Sequence, residues 1–308
     1  MTTSATAKRV LAHQATRQRQ ARTLWLALDY AVLILLAIVF IFPVVFMVVS
    51  SFKPSTTIFE DLRSLNAFLP TTVTMENYNG VFIRSNFGLF MFNSTFIVTV
   101  TVGLGLVINS MAAYALARLR WRGRKIIFSV IVALLIIPFE AIAIPLLFIV
   151  AHLIWPELKG GTLALAHSWL STYHVQIIPF IADAFSIFLF YQFFIDIPRD
   201  LDEAARVDGA SPFRIYWNII LPISRPIIAT VAILQFLTRW NDYLWPVIAV
   251  QSESARPVMV GMAAFFGQTP NWGQIMAYAT MITVPVLVIY LLFQKWFIQS
   301  VVSSSIKG

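Results

Sequence analysis

The chain has 308 residues, of which 59% are hydrophobic and only 12% are charged. So few polar residues cannot cover the surface of a soluble domain, which excludes that class and predicts an integral membrane protein. The net charge of +8 does not indicate a nucleic-acid partner, because the basic residues stand in short blocks beside apolar spans, and the absence of cysteine excludes disulfides and thiolate metal sites.

Six apolar segments are long enough to cross a hydrocarbon core of about 30 Å, which takes about 20 helical residues. In chain order they are Tyr30–Val49, Phe87–Ala117, Ile126–Ile154, His174–Ile195, Pro226–Val250 and Trp272–Gln294. The first is too long for the apolar part of a cleavable signal peptide, and no small-residue cleavage site follows it. The expected fold class is therefore an all-α integral membrane protein with six transmembrane helices.

The distribution of Lys and Arg predicts that both termini are cytoplasmic. The two termini and the second and fourth connections contain 16 of these 22 residues; the other connections contain five, and Arg239 lies inside a span. Basic residues collect on the cytoplasmic side of membrane proteins. The predicted organisation is a basic cytoplasmic tail over 1–29, a first transmembrane helix over 30–49, an extracytoplasmic loop over 50–86, a membrane core over 87–298 with a cytoplasmic loop over 199–222, and a cytoplasmic tail over 299–308.

The second span contains a Gly-x-Gly sequence, Gly103 to Gly105. No strand is predicted before it, so close helix packing is a better interpretation than a phosphate-binding loop. Later spans contain ionisable residues, which by default mark a transport pathway or an internal ion pair. These residues are Glu140, Asp183, Arg239 and Asp242.

The cytoplasmic loop is predicted to begin with a short helix. Asp200 and Glu203 have the spacing of a capping box, so the helix is expected to begin at Asp200. It is expected to end at Gly209, which suits the left-handed conformation of a C-cap. Its small or apolar face would consist of Leu201, Ala204 and Ala205.

A second short helix is predicted directly after the glycine. Ser211 is a good N-cap, Pro212 is tolerated at the first helical position, and Pro222 is expected to end the helix. Its apolar residues follow helical spacing: Phe213, Tyr216, Trp217 and Ile220. Docking on a partner is one interpretation of these helices. An amphipathic helix in the lipid headgroup layer is the other, although the first helix has few large apolar residues to bury there.

The stretch EAARVDGASPFRIYWNIILP, Glu203–Pro222, resembles the EAA signature of the membrane-spanning subunits of binding-protein-dependent ABC importers. The signature is Glu-Ala-Ala, three residues, Gly, nine residues, Ile, one residue and Leu-Pro. The matching residues are Glu203, Ala204, Ala205, Gly209, Ile219, Leu221 and Pro222. The flanking FSIFLFYQFFIDIPRDLDEAARVDGAS and FLTRWNDYLWPVI, and the final KG, are similar to the carbohydrate branch, in particular its maltose-type second permease. The similarity extends over about Asn77–Gly308.

This resemblance implies a type I ABC importer permease in the bacterial inner membrane, which imports a sugar or sugar-like solute. In the family, the EAA helices couple the permease to a cytoplasmic ATPase, and Phe213 is expected to join the matching residues in that contact. The implied partners are a second permease subunit, two copies of the ABC ATPase, an extracytoplasmic solute-binding protein and membrane lipid. Nucleic acid is not among them.

The chain has no catalytic or cofactor motif of its own. A Gly-x-x-x-x-Gly-Lys-Ser/Thr phosphate loop is absent, so ATP and Mg are expected on the separate ATPase subunits. The four histidines have no ligand spacing, which argues against a metal site. No nucleophile motif is present, and the chain is therefore expected to be a subunit without enzymatic activity.

The sequence RWNDYLW, Arg239–Trp245, is the best candidate for contact with a sugar. Sugars present hydroxyl groups and apolar C–H faces, which aromatic, amide and carboxylate side chains bind. The candidate pathway residues are Trp240, Asn241, Asp242 and Tyr243. Two structural interpretations compete with this one: Arg239 and Asp242 are spaced to form an ion pair, and aromatic residues near a span end anchor helices at the membrane interface.

Other functions stay open at this point. The same branch of the family also transports glycerol phosphates and polyols. A secondary transporter or channel would work without ATP, but it would show inverted repeats or paired broken helices and has no use for an EAA segment.

Overall fold

The computed structural model describes residues 3–70, 72–159, 162–166, 168–266 and 270–305, most of which are helical. The chain forms two compact units: Met1–Tyr78 with Trp272–Thr280, and Asn79–Asn271 with Met281–Gly308. Two strands, β1 (Trp155–Lys159) and β2 (Thr162–Ala166), form an antiparallel hairpin in which Trp155 pairs with Ala166. The helices are α1 (Thr3–Ser51), α2 (Thr57–Glu60), α3 (Glu76–Arg84), α4 (Phe87–Arg118), α5 (Arg124–Leu134), α6 (Phe139–Ala151), α7 (Tyr173–Ile177), α8 (Ala184–Asp196), α9 (Asp200–Val207), α10 (Pro212–Ile215), α11 (Leu221–Ile223), α12 (Arg225–Trp240), α13 (Leu244–Ala249), α14 (Val258–Met262) and α15 (Trp272–Ser305).

Helix α1 includes both the predicted basic tail and the first predicted span, and its apolar part is Thr23–Ser51. Helix α15 likewise continues into the predicted C-terminal tail and ends at Ser305, whereas the final Lys-Gly lies outside the described residues. The tails and their adjoining spans are therefore continuous helices as far as the structure describes them.

Within the described part of the chain, four helical segments are long and apolar enough to cross a membrane by themselves: Thr23–Ser51, Phe87–Arg118, Tyr173–Asp196 and Trp272–Lys295. Six spans result only if each of two bent helix pairs crosses as one. The third predicted span, Ile126–Ile154, is such a pair, because α5 and α6 are bent by 106°. The cause is local: Pro138 cannot donate a helical hydrogen bond and disfavours helical geometry at Ile137 before it.

The fourth and fifth predicted spans also contain breaks. A 3₁₀ turn over Ile178–Phe180 and an extended Asp183 separate α7 from α8. Residues 241–243, within the sequence RWNDYLW, separate α12 from α13. The sequence predicted one transmembrane helix over each of these spans, His174–Ile195 and Pro226–Val250. The prediction did not foresee the break within each helix. Irregular backbone at membrane depth occurs where other parts of the protein or a cavity satisfy its polar groups.

Helix α4 supplies these partners for the break before α8. The buried Asn109 amide donates to the Ile181 carbonyl (3.0 Å), and its oxygen accepts from the Asp183 N–H (2.9 Å). One turn earlier, Gly105 lets Gln235 of α12 pack against the α4 backbone, since an added Cβ would lie 2.8 Å from Gln235 Oε1. The predicted close packing is confirmed for Gly105 but is wrong for Gly103, which has open space around it.

The two glycines provide a matched test of this packing. Gly105→Val is expected to lower the free energy of unfolding by about 1–3 kcal/mol, because its side chain would press on Gln235 and on the Ile181 carbonyl, 3.2 Å from the added Cβ. Gly103→Val should change it little. Thermal unfolding of the purified protein in detergent measures both, and equal destabilisation would contradict the packing assignment.

The unit that contains α1 has a buried charge of its own. Lys53 is almost fully buried and forms a 2.9 Å ion pair with Asp61. Its ammonium group also donates to the carbonyls of Asn66 and Ala67. Asn77 donates to the Ser51 and Lys53 carbonyls. These contacts order the segment that follows α1.

Candidate functional site

The segment Arg199–Pro222, here called the coupling segment after the role that the signature resemblance predicts for it, begins with α9. Its N-cap is Arg199 and not Asp200, since the N–H groups of Asp202 and Glu203 both donate to the Arg199 carbonyl. The predicted capping box was therefore wrong. Asp200 and Glu203 instead lie in the first turn, where negative charge is favourable beside the positive end of the helix dipole.

The end of α9 is as predicted. Gly209 has φ of 79°, the left-handed conformation expected of a C-cap. The Gly209 N–H donates to the Arg206 carbonyl (3.0 Å), and the Ala210 N–H donates to the Ala205 carbonyl (2.9 Å). This pair of bonds is a Schellman motif, which satisfies the last carbonyls of the helix and sets the direction of the chain that leaves it.

The second helix of the segment begins as predicted but continues further. Ser211 Oγ accepts from the Arg214 N–H, which confirms the N-cap. A π-helical turn over Tyr216–Ile220 connects α10 to α11, and α11 contains Pro222. The prediction that Pro222 ends the helix was therefore wrong. The wider π turn displaces the carbonyls that a proline ring would otherwise strike, so the helix includes Pro222. The chain instead bends by 79° at Ser224, before α12.

One face of α4 holds the coupling segment through three residues spaced four apart. Ser110 Oγ is 2.8 Å from Tyr216 Oη, and the Tyr114 hydroxyl donates to the Pro212 carbonyl (3.0 Å). Arg118 forms an ion pair with Asp202. Residues at this spacing lie one above another on a helix, so α4 contacts both short helices along a single line.

Arg118 makes the most extensive of these contacts. Its Nε lies 3.0 Å from Asp202 Oδ2, and the two side chains are 1% and 6% exposed. Its guanidinium also donates to the carbonyls of Ile197 (2.8 Å) and Pro198 (3.1 Å). Arg118 therefore joins the ends of α4 and α8 to the start of α9.

The outer face of the coupling segment is apolar and exposed. Phe213 and Trp217 are 61% and 53% exposed and stack with ring centroids 6.3 Å apart. Leu201 and Val207 of α9 are also exposed. Tyr216 and Ile220, predicted for the same face as Phe213 and Trp217, are instead buried against α4 and α8, because the π turn separates the two sets.

The remaining signature residues lie on both faces. Glu203 and Ala204 are exposed, as is Pro222. Ala205 is buried, and Ile219 and Leu221 pack partly buried against the same core. The signature therefore combines residues that hold the segment to the protein with residues free to meet a partner.

The candidate pathway residues occupy the break between α12 and α13. Trp240 is only 3% exposed, stacks on Phe236 and donates its indole N–H to the Ile282 carbonyl. Asn241 and Tyr243 are exposed, while Asp242 forms the ion pair with Arg239 (3.2 Å) that the spacing indicated. In this structure Trp240 contributes to helix packing, and contact of the other three with a solute stays a prediction.

A cavity of about 450 Å³ lies between α4, α6, α8 and α12, beside the break at 181–183. Its lining includes three phenylalanines and several aliphatic residues. The polar residues of the lining are Thr101, Asp183, Ser186, Gln235, Thr238 and Arg239. None of the four candidate pathway residues lines it. Its volume is within the range of small-molecule sites, which is about 300–1,000 Å³.

Residues 102–303 match the family described as binding-protein-dependent transport system inner membrane component. The chain belongs to this family. The match includes residues 102–118 of α4, the coupling segment and every lining residue of the cavity except Thr101. The permease is therefore a multi-pass membrane protein.

Several curated relatives resemble the permease over most of its length. An arabinooligosaccharides transport permease of Halalkalibacterium halodurans is 31% identical over 277 residues, 89% of this chain and 93% of the relative. A diacetylchitobiose uptake permease of Streptomyces coelicolor is 32% identical over 272 residues, 87% and 85% of the two chains. An sn-glycerol-3-phosphate transport permease of Yersinia enterocolitica is 32% identical over 222 residues, 71% and 74%.

A chain of a solved bacterial ABC transporter that imports the acidic polysaccharide alginate has the same fold. Its TM-score to the permease is 0.72, with 22% identity, and the alignment covers 88% of this chain and 95% of that chain. At this level of identity the likeness concerns the fold alone. It agrees with the expected importer permease architecture.

Sequence reasoning missed the contact line on α4. Arg118 was counted only as a cytoplasmic topology signal, whereas the structure buries it in the permease. The available signal was the spacing of Ser110, Tyr114 and Arg118, which places three polar groups on one face of the span. Among the described residues, no cluster of His, Asp and Glu has the arrangement of a metal site.

Proposed function

We propose that the permease imports a sugar or sugar-like solute, driven by ATP hydrolysis on separate subunits whose motion the coupling segment transmits to the membrane helices. The observation that carries this proposal is the construction of the segment: two short helices with satisfied ends, held by three contacts to α4, that present an exposed apolar surface. A segment fixed in this way moves as a body with the membrane helices, whereas a flexible loop would absorb the displacement.

The rest of the assembly follows from this role. A second permease subunit would complete the translocation pathway, two ABC ATPase subunits would bind ATP and Mg, and a solute-binding protein would deliver the solute on the opposite side. This chain would bind no cofactor and catalyse no reaction. In this arrangement it crosses the bacterial inner membrane six times, with both termini and the coupling segment in the cytoplasm, as the distribution of Lys and Arg also predicts.

A carbohydrate is the favoured solute, since relatives similar over most of the chain are named for oligosaccharide transport. Glycerol phosphate or a polyol is the alternative, because a glycerol-phosphate permease is similar over 71% of the chain. A secondary transporter or channel would use the same membrane core without an ATPase. Uptake by the permease alone, driven by an ion gradient, would support that class instead.

The exposed aromatic pair tests the coupling proposal. The double substitution Phe213→Ala and Trp217→Ala is expected to reduce copurification of the ATPase and to reduce uptake at least tenfold, because exposed aromatic anchors dominate binding energy at interfaces. Stability of the permease should hardly change, since both rings are exposed. Uptake in reconstituted vesicles and the ratio of ATPase to permease after purification measure the effect.

Phe92 and Phe96 provide the matched control. They form a similar stacked pair, 6.1 Å between centroids, on α4 away from the coupling segment. Alanine at both positions should leave ATPase retention unchanged. If the Phe213 and Trp217 double variant retains the ATPase and transports normally, the surface belongs to the lipid headgroup layer and the coupling proposal fails.

A further inference from the structure

The charges around the cavity carry an inference about the solute, which rests on the proposed transport function. Asp183 and Arg239 are the two ionisable residues in the lining. Arg239 is already occupied on two sides: Nη1 donates to Asp242 Oδ2 (3.2 Å), and the Phe180 ring lies 4.2 Å from its guanidinium carbon. Asp183, Asp242 and Arg239 therefore bring together two carboxylates and one guanidinium, a group with net negative charge.

The break before α8 would ordinarily create an anion site, because the first N–H groups of a helix attract negative charge. Here that position is filled from within the chain. Asp183 is the N-cap of α8 and accepts from the Ser186 N–H (2.8 Å) and the Ser186 hydroxyl (2.5 Å). The positive end of the helix therefore has its carboxylate, and a second anion would meet the charge of Asp183.

What the lining offers instead is a set of neutral hydrogen-bonding groups beside aromatic rings. Gln235 Nε2 donates to Ser186 Oγ (2.9 Å), which continues the chain of bonds to Asp183. Gln235 Oε1, which is buried against Gly105 of α4, has no hydrogen-bond partner among the described residues. Phe139, Phe180 and Phe185 line the same cavity. Amides and hydroxyls bind solute hydroxyls, and aromatic faces bind C–H surfaces.

We propose that this cavity is a solute-binding site within the permease itself, that it accepts uncharged, hydroxyl-rich solutes, and that Asp183 and Asp242 exclude anionic ones. The permease thereby differs from carriers of phosphate esters and of acidic sugars in the charge of the solute that it accepts. Asp183 and Asp242 act as specificity-determining residues, Asp183 by its own charge in the lining and Asp242 by neutralising Arg239.

The absence of cysteine makes a direct test possible. Thr238→Cys places one thiol in the cavity lining, and Thr95→Cys places a comparable thiol on an exposed turn of α4 outside it; each threonine hydroxyl donates only to the carbonyl four residues earlier in its own helix. In the purified, reconstituted complex, the reaction rates of both thiols with a cationic and an anionic methanethiosulfonate are measured by the mass of this chain. The cation-to-anion rate ratio at Thr238→Cys, divided by that at Thr95→Cys, reports the charge of the cavity.

We expect this normalised ratio to exceed one and to fall about tenfold when Asp183→Asn is added, since one nearby charge is worth about that factor in a partly buried site. Asparagine retains the capping role, so the fold is preserved, and Asp183→Glu should restore the ratio. Asp242→Asn should lower it as well. A neutral trisaccharide should slow modification at Thr238→Cys, whereas glycerol 3-phosphate and a galacturonate trisaccharide should not.

A normalised ratio below one, or a ratio that Asp183→Asn leaves unchanged, would overturn the exclusion of anions. Protection by glycerol 3-phosphate would overturn the substrate class. These outcomes are distinguishable from failure of the transport proposal, because the thiol reactions require neither ATP nor the binding protein. Loss of ATPase stimulation with an intact charge pattern would instead refute coupling and leave the cavity assignment standing.

Discussion

Arg118→Met is expected to destabilise the permease by about 3–5 kcal/mol, because it leaves the Asp202 carboxylate buried without its partner. Two further carbonyls, those of Ile197 and Pro198, lose their donor in the same change. The coupling segment should then detach from the ends of α4 and α8. Uptake and binding-protein-stimulated ATPase activity should both fall severely in reconstituted vesicles, and the unfolding temperature in detergent should decrease.

Two variants separate loss of this ion pair from loss of a positive charge. Arg120→Met removes an exposed arginine two residues away and should change neither stability nor uptake by a measurable amount. The double variant Arg118→Met with Asp202→Leu removes both charges and should recover much of the lost stability, since an apolar pair often replaces a buried ion pair at little cost. If Arg118→Met changes stability and uptake as little as Arg120→Met does, Arg118 does not hold the coupling segment to α4.

Gly209→Val is expected to abolish coupled transport while the protein still inserts in the membrane. A β-branched residue at φ of 79° is strained by about 1–2 kcal/mol, and relief of that strain breaks the Schellman bonds that orient α10 relative to α9. Open space surrounds the added Cβ, so the effect comes from backbone conformation and not from a clash. The ATPase should dissociate or hydrolyse ATP without responding to loaded binding protein.

The control for this prediction is Gly88→Val. Gly88 also has open space around its Cβ, but it lies in the first turn of α4 and does not have a positive φ. Uptake, ATPase retention and stimulation should be normal in that variant. Gly209→Asn offers a graded comparison, because asparagine tolerates the left-handed conformation and should retain part of the activity. Normal coupling in Gly209→Val would show that the direction of the second helix is unimportant.

Local chemistry was readable from the sequence wherever neighbouring residues decide the structure. Composition and span length gave the membrane class, the glycine between two helical patterns gave the left-handed C-cap at Gly209, and Ser211 before Pro212 gave the N-cap. The three-residue spacing of Arg239 and Asp242 allowed an ion pair, which is present. These features depend on backbone sterics and short-range hydrogen bonds, which act over a few residues whatever the rest of the chain does.

Local signals failed where a distant part of the chain offered a better partner. Asp200 did not become the cap it was suited to be, because Arg118, more than eighty positions away, binds Asp202 and holds the start of α9 one residue earlier. Trp240 had the chemistry of a sugar platform, yet the carbonyl of Ile282 and the ring of Phe236 enclose it.

The cavity depends wholly on tertiary structure. It exists because Asn109 satisfies the broken backbone at 181–183 and Gly105 admits Gln235, neither of which was a candidate functional residue. Sequence composition therefore determined that this chain crosses a membrane, and the signature pattern predicted its coupling segment. Only the packing of α4 against α8 and α12 decided which polar groups face the interior, since hydrogen-bond partners of buried groups are chosen by proximity in space and not along the chain.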